Sequence, residues 1–169
     1  SMFAPGIPSF LSSLRGLAYF AINVRGPSSD LHSGSYGGAV VNPAMALARI
    51  LATMHDADGH VVIPGFYDAV RPFPPTVIAG MRKLPFDEEH FRQEVGATAL
   101  GGEQKFTVLE RLWTRPTCEV NGMLSGYTGE GAKTVLPGVS MAKVSCRLVP
   151  DQDPAEIERL MKAHVAKVA

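Results

Sequence analysis

Asp30-Leu31-His32-Ser33-Gly34-Ser35-Tyr36-Gly37-Gly38 packs three glycines, two serines, a tyrosine and a single histidine into nine residues. Glycine accepts φ > 0 without a Cβ clash, so a stretch this rich in it turns tightly and aims a side chain outward. The side chain to aim is His32, which alone here titrates near neutral pH or offers an imidazole to a metal or an oxyanion. Read without context, it is a polar residue in a Gly/Ser loop. Gly34, Gly37 and Gly38 do not have the GxGxxG spacing of a dinucleotide turn, and a phosphate cradle is correspondingly weak.

Working outward, residues 16–25 alternate. Ala18, Phe20, Ile22 and Val24 share one face, and Tyr19, Ala21, Asn23 and Arg25 share the other, the pattern of a half-buried strand. Gly26-Pro27-Ser28-Ser29 ends it. On the other side of the loop, Asn42-Pro43 starts a helix, with Asn as cap and Pro at the first helical position. Leu47, Ile50, Leu51 and Met54 give that helix one buried stripe, and Asp56, Asp58 and Gly59 end it. His55 and His60 lack a partnering carboxylate pattern and read as solvated polar residues.

Residues 60–115 read as an insertion of moderate helical content. Val61-Val62-Ile63-Pro64 is a short extended stretch. Pro64, Pro72, Pro74, Pro75 and Pro85 each remove a backbone donor, limiting regular structure. A helix over 87–100 capped by Asp87, ended by Gly101-Gly102, and a short helix over 106–113 follow. Trp113 with Leu109 and Leu112 reads as core. Residues 117–124 form a strand with Cys118 and Val120 on one face, and 125–134 a loop. Residues 139–149 are the cleanest strand, with Ala142, Val144, Cys146 and Leu148 facing one way and Met141, Lys143, Ser145 and Arg147 the other. Asp153-Pro154-Ala155-Glu156 opens a last helix through a capping box. Its stripe is Ile157, Leu160, Met161, Val165 and Val168. A hairpin of the last two strands would set Cys118 roughly opposite Cys146. Residues 1–15, with scattered Pro and Ser, read as a linker or irregular lead-in, Ser1-Met2 as an expression remnant.

Setting the insertion aside, the order is strand, helix, strand, strand, helix. This predicts an α+β fold: a split βαβ (ferredoxin-like) antiparallel sheet with two helices on one face and the last strand missing. The absent strand leaves an open edge that seeks a partner, and the chain reads as one domain, 1–169, taken from a longer protein. Sixteen basic residues balance sixteen acidic ones, so no nucleic-acid footprint is present. No apolar run approaches the ~20 residues that span a bilayer, and the N-terminus lacks the pattern of a signal peptide. The two cysteines lack CxxC spacing. They read as reduced, buried thiols of a cytoplasmic protein, a single bridge in a secreted one being the alternative.

The stretch Asp30 to Gly38, with Asn42-Pro43-Ala44 after it, resembles the DLHSGxYGG loop of the M20 family of zinc peptidases, and within it the carnosinase-like dipeptidase branch. Gly131-Ala132-Lys133-Thr134-Val135-Leu136-Pro137 and Arg147-Leu148-Val149-Pro150 resemble that branch's GAKTVIP and FRLVP segments, in the same order. Gly65-Phe66-Tyr67-Asp68 is similar to its insertion. The resemblance implies a two-domain parent with two zinc ions in a metal-binding catalytic domain. The lid inserted into that domain mediates homodimer formation, and this chain resembles the lid alone. The HxD motif, the bridging Asp and the Glu-Glu pair of the metal domain are absent, so no metal site and no hydrolysis are expected from this chain by itself.

Within the family the histidine of the loop reaches across the dimer into the partner's active site. His32 matches it, which implies stabilisation of the oxyanion formed as the peptide carbonyl is attacked. Thr134 and Arg147 match lid residues that bind substrate. A guanidinium forks onto a carboxylate, and a dipeptide offers its C-terminal carboxylate. Apart from the resemblance, Arg147 reads as a solvated strand-face cation and Thr134 as a loop hydroxyl capping its own turn. Two other functional readings stand beside the dipeptidase lid: a stand-alone split βαβ interaction module, and the lid of an M20 aminoacylase or carboxypeptidase.

Overall fold

A computed structural model describes residues 2–169; Ser1, read with Met2 as a remnant, lies outside them. In chain order these form β1 (Met2–Ala4), β2 (Ile7–Pro8), β3 (Gly16–Arg25), β4 (Leu31–His32), α1 (Ser33–Tyr36), α2 (Pro43–Ala52) and α3 (Pro75–Arg82). There follow α4 (Glu88–Glu94), α5 (Val108–Thr114), β5 (Thr117–Ser125), β6 (Val135–Leu136), β7 (Val139–Leu148) and α6 (Pro154–Val168).

The main sheet has the order β3-β7-β5 and is antiparallel throughout. β3 and β7 pair without a break from Gly16↔Leu148 to Arg25↔Val139. With three strands in the order first, third, second, this is the split βαβ sheet short of its fourth strand. α2 and α6 cover one face. Leu47 and Ile50 from α2, Met54 just past its end, and Ile157 and Met161 from α6 meet Ala18, Ile22, Ala142, Val144, Cys146 and Leu148 in one core. Each large apolar side chain so buried contributes roughly 1.5–3 kcal/mol. The predicted alternation of β3 and β7 and the stripe of α2 are therefore what builds the domain.

Both helices start where the sequence places their caps. Asn42 Oδ1 accepts from the Ala44 N–H at 2.9 Å, and Asp153 Oδ1 from the Ala155 N–H at 2.9 Å. The expected capping box at α6 does not form. Glu156 instead grips Arg159 one turn on, at 2.6 and 2.8 Å. A box does form at α5, between Thr107 and Glu110.

β5 and β7 place Cys118 in register with Cys146, as the hairpin requires, and both are buried free thiols. Val120 does not share that burial. It keeps the face of Cys118, in register with Val144 just before the register shifts between Val120 and Gly122, but on this edge strand it is exposed.

Several other expectations are corrected. The lead-in is not wholly irregular, because β1 and β2 form a hairpin about Gly6, whose φ is +76°. Phe3 on this hairpin meets the edge of Trp113, centroids 6.0 Å apart. Trp113 is thus a surface anchor, 40% exposed, and not core; Leu112 is equally exposed while Leu109 is buried. The proline-rich stretch still yields α3, because Pro74 and Pro75 stand at its start, where no N–H is needed. α4 stops near Val95, five residues short of its predicted end at Leu100, as Gly96 takes φ +66°.

Candidate functional site

The loop from Asp30 to Gly38 is tied to the far end of the chain. β4 pairs with β6, Leu31↔Leu136 and His32↔Val135. The Ser33 N–H donates to the Thr134 carbonyl at 3.0 Å, and the Gly138 N–H donates to Asp30 Oδ1 at 2.9 Å. The short turn α1 is capped by His32 itself, whose Nδ1 accepts from the Gly34 N–H at 3.1 Å. The glycines serve space more than backbone freedom. Only Gly38 has a positive φ, +83°. A Cβ on Gly34 would lie 2.8 Å from His32 Cε1, and one on Gly37 would lie 2.4 Å from the Ser33 carbonyl oxygen.

These bonds define the state of the imidazole. A backbone N–H can only donate, so Nδ1 is the unprotonated nitrogen and a neutral ring carries its hydrogen on Nε2. Nε2–H donates to Thr134 Oγ1 at 3.0 Å. Ser35 Oγ stands 3.4 Å from Nδ1, a marginal contact. His32 is exposed. The result is a neutral N–H donor at the surface, held at both nitrogens, beside a hydroxyl that can donate or accept. Thr134 therefore bonds His32 and does not cap its own turn.

Arg147 stands elsewhere. It lies on β7 in register with Leu17 and Thr117, exposed, on the face opposite Cys146. From Val139, near the His32 loop, it is eight positions along the strand, on the order of 26 Å at the rise of a β-strand. The structure thus brings His32 and Thr134 together beside the small β4–β6 sheet and leaves Arg147 at the far end of β7 in the main sheet. Arg15 is its neighbour in charge: burial, then the Arg147 guanidinium, hold Arg15 below its usual range, while its Nη1 donates to the Arg115 carbonyl at 3.2 Å.

A second polar cluster escaped the sequence. Glu103, 6% exposed, accepts from Arg115 Nε and Nη2 at 2.5 and 2.8 Å and lies 2.9 Å from His60 Nδ1. His60 stacks on Tyr67 at 4.1 Å, and the Arg115 guanidinium sits over Tyr67 and Phe106 at 5.0 and 4.4 Å. His60 is therefore not a solvated polar residue but part of a network joining the two ends of the 60–115 region. No local spacing could announce it, since its members lie up to 55 positions apart. Burial pushes the Glu103 carboxyl up, but the bonds from Arg115 and His60 outweigh this and leave it below the usual carboxylate range. Among the described residues no group of three or more His, Cys, Asp or Glu side chains is gathered as a metal would need, so the residues present do not fit a zinc site. No helix among the described residues is long and apolar enough to cross a membrane.

Comparison with known proteins places this geometry. A family model described as the peptidase dimerisation domain of M20 enzymes matches residues 12–169. The Cys-Gly metallodipeptidase dug1 of Schizosaccharomyces pombe is 37% identical over 95% of this chain, which covers 34% of that protein. Among solved structures, the M20 family metallo-carboxypeptidase Sso-CP2 of Sulfolobus solfataricus superposes with a TM-score of 0.83 at 39% identity, over 92% of this chain and 40% of that one. Human carnosine dipeptidase 1 gives 0.82 at 31% identity, over 91% and 33%. The chain spans about a third of the length of the curated relatives it matches. With its sheet, its helices and its histidine loop matched along nearly their whole length, this chain belongs to the M20 peptidase dimerisation domain family.

Proposed function

We propose that this chain is the lid and dimerisation domain of a metal-dependent dipeptidase, contributing substrate contacts to hydrolysis carried out by a separate metal-binding domain. The observation that carries the reading is the exposed His32 N–H donor, oriented at one nitrogen by Gly34 and at the other by Thr134. When a peptide carbonyl is attacked, its oxygen gains negative charge. A fixed neutral donor aimed at that oxygen stabilises the charge without reorganising. The two zinc ions implied by the family would be held by the separate metal domain.

The separation of Arg147 from the His32–Thr134 pair supports a division of labour. Arg147 lies eight strand positions, on the order of 26 Å, from Val139 beside the His32 loop, farther than a single dipeptide spans. In a homodimer, His32 and Thr134 serve the partner's active site, while Arg147 serves the site of its own subunit by forking onto the substrate's C-terminal carboxylate. A carboxypeptidase reading has a specific support in the likeness to the Sulfolobus metallo-carboxypeptidase; its substrates also end in a free carboxylate, so the role of Arg147 is the same.

The test is made in a longer enzyme that joins this lid to a metal domain. His32→Ala is expected to lower kcat by about 10²–10³ with bound metal unchanged. Mixing that variant with one disabled at the metal domain should restore activity through hybrid dimers. Unchanged turnover of His32→Ala, or no restoration on mixing, refutes the reading.

A further inference from the structure

A histidine ring at a surface has two flips and two neutral tautomers, and only one of the four combinations presents an N–H outward from Nε2 while satisfying Nδ1. In this loop both ends of the ring are engaged. Gly34 N–H meets Nδ1 at 3.1 Å, and Nε2 meets Thr134 Oγ1 at 3.0 Å. Flipping the ring would replace both nitrogens by carbons and forfeit both bonds. The ring also sets its Nδ1–Cε1 edge against residue 34, where a Cβ would fall 2.8 Å from Cε1 and 3.2 Å from Nδ1. The φ of Gly34 is not in the left-handed region, so the need for glycine there is the room it leaves for the imidazole.

We infer that Gly34 is a positioning residue for His32: its backbone N–H and bare Cα clamp the imidazole as the Nε2–H tautomer, and Thr134 holds that hydrogen until a substrate oxygen displaces it. The inference deepens the lid reading of the preceding subsection and rests on it. The displacement is favourable in direction, because the Thr134 hydroxyl is a neutral acceptor and a developing oxyanion a charged one, which makes the stronger bond. Thr134 keeps its own hydroxyl hydrogen free throughout, available to the same oxygen as a second donor. A loop that held the ring in the other tautomer would aim a lone pair at the oxyanion and repel it.

The test is nuclear magnetic resonance on the 169-residue chain labelled with 15N and 13C, with the His32 ring signals assigned by their loss in His32→Gln. The clamp predicts an unprotonated Nδ1, a protonated Nε2, and a strong nuclear Overhauser effect between His32 Hε1 and the Gly34 α-protons. Gly34→Ala should abolish that effect and average the ring signals, while amide shifts along residues 139–148 stay in place. Thr134→Val should release the ring from its outer end by a second route, with residue 34 untouched. Ser35→Ala should leave the ring as it is. A ring that is freely averaged or Nδ1-protonated in the unaltered chain, or one that keeps its signature in Gly34→Ala, overturns the proposal. In the longer enzyme Gly34→Ala should lower kcat by about tenfold or more with little change in KM. A clamped ring in an enzyme indifferent to His32→Ala removes the lid reading and the positioning role with it. An averaged ring in an enzyme crippled by His32→Ala removes the clamp alone.

Discussion

Arg115→Ala should strand a buried charge. Glu103 is 6% exposed and its carboxylate is satisfied by two bonds from Arg115 and one from His60. Removing the guanidinium leaves His60 as its remaining partner and uncovers the faces of Tyr67 and Phe106. Breaking such a pair from one side costs about 3–5 kcal/mol. For a domain of this size each kcal/mol moves Tm by about 2–4 °C, so the expected loss is about 6–20 °C. Thermal and urea unfolding of the purified chain measure it. The penalty comes from the stranded charge more than from the lost attraction. The double variant Glu103→Leu/Arg115→Met should therefore be more stable than Arg115→Ala alone, since apolar replacement of a buried pair is often neutral. The pH dependence has a definite sign. The Glu103 carboxyl is held below its usual range in the folded state, so its contribution is full above the unfolded value of about 4.3 and fades as pH falls through the lower folded value. Glu103→Gln should accordingly approach the stability of the unaltered chain as pH drops below about 4. An Arg115→Ala variant within about 0.5 kcal/mol of the parent, or a double variant less stable than the single, refutes the reasoning.

Two further outcomes are expected. Cys146 shares a hydrogen bond with Cys118 and is buried with it, and both effects push its thiol well up; alkylation of the native chain at pH 8 should proceed only as fast as the domain opens, and rapid labelling read by mass spectrometry would contradict the burial. Gly59 has φ +77° and a Cβ there would lie 2.7 Å from the Gly102 backbone, whereas Gly96, at φ +66°, has open space. Gly59→Ala should cost about 2–4 kcal/mol and Gly96→Ala about 1, with equal costs in denaturant unfolding counting against the close approach.

Much of the site was legible as a candidate but not as an arrangement. His32 was singled out by its glycine loop, and the family resemblance added Thr134 and Arg147. Nothing in the spacing says that Thr134 meets a residue 102 positions earlier; that contact is the product of β4 pairing with β6. The strand face of Arg147 followed from a period of two, but its distance from His32 is a property of the sheet. Elsewhere, the 2–8 hairpin lacked enough residues for a period to show, and α3 was hidden because prolines that break a helix inside also start one. Trp113 looked like core because apolarity marks residues that could be buried, not the side of α5 that has something to pack against.

What the sequence determined by itself was local. The alternation of 16–25 and 139–149, the stripe of the helix after Asn42, and the caps at Asn42, Asp87 and Asp153 all follow from the rise and rotation of one residue relative to the next. The tertiary structure alone decided which distant groups meet: Gly34 and Thr134 on the two nitrogens of His32, and Arg115 and His60 on Glu103. Such contacts depend on strand register and on how a 43-residue excursion folds back, and no short-range pattern encodes either, because the free energy that selects them is summed over the whole core.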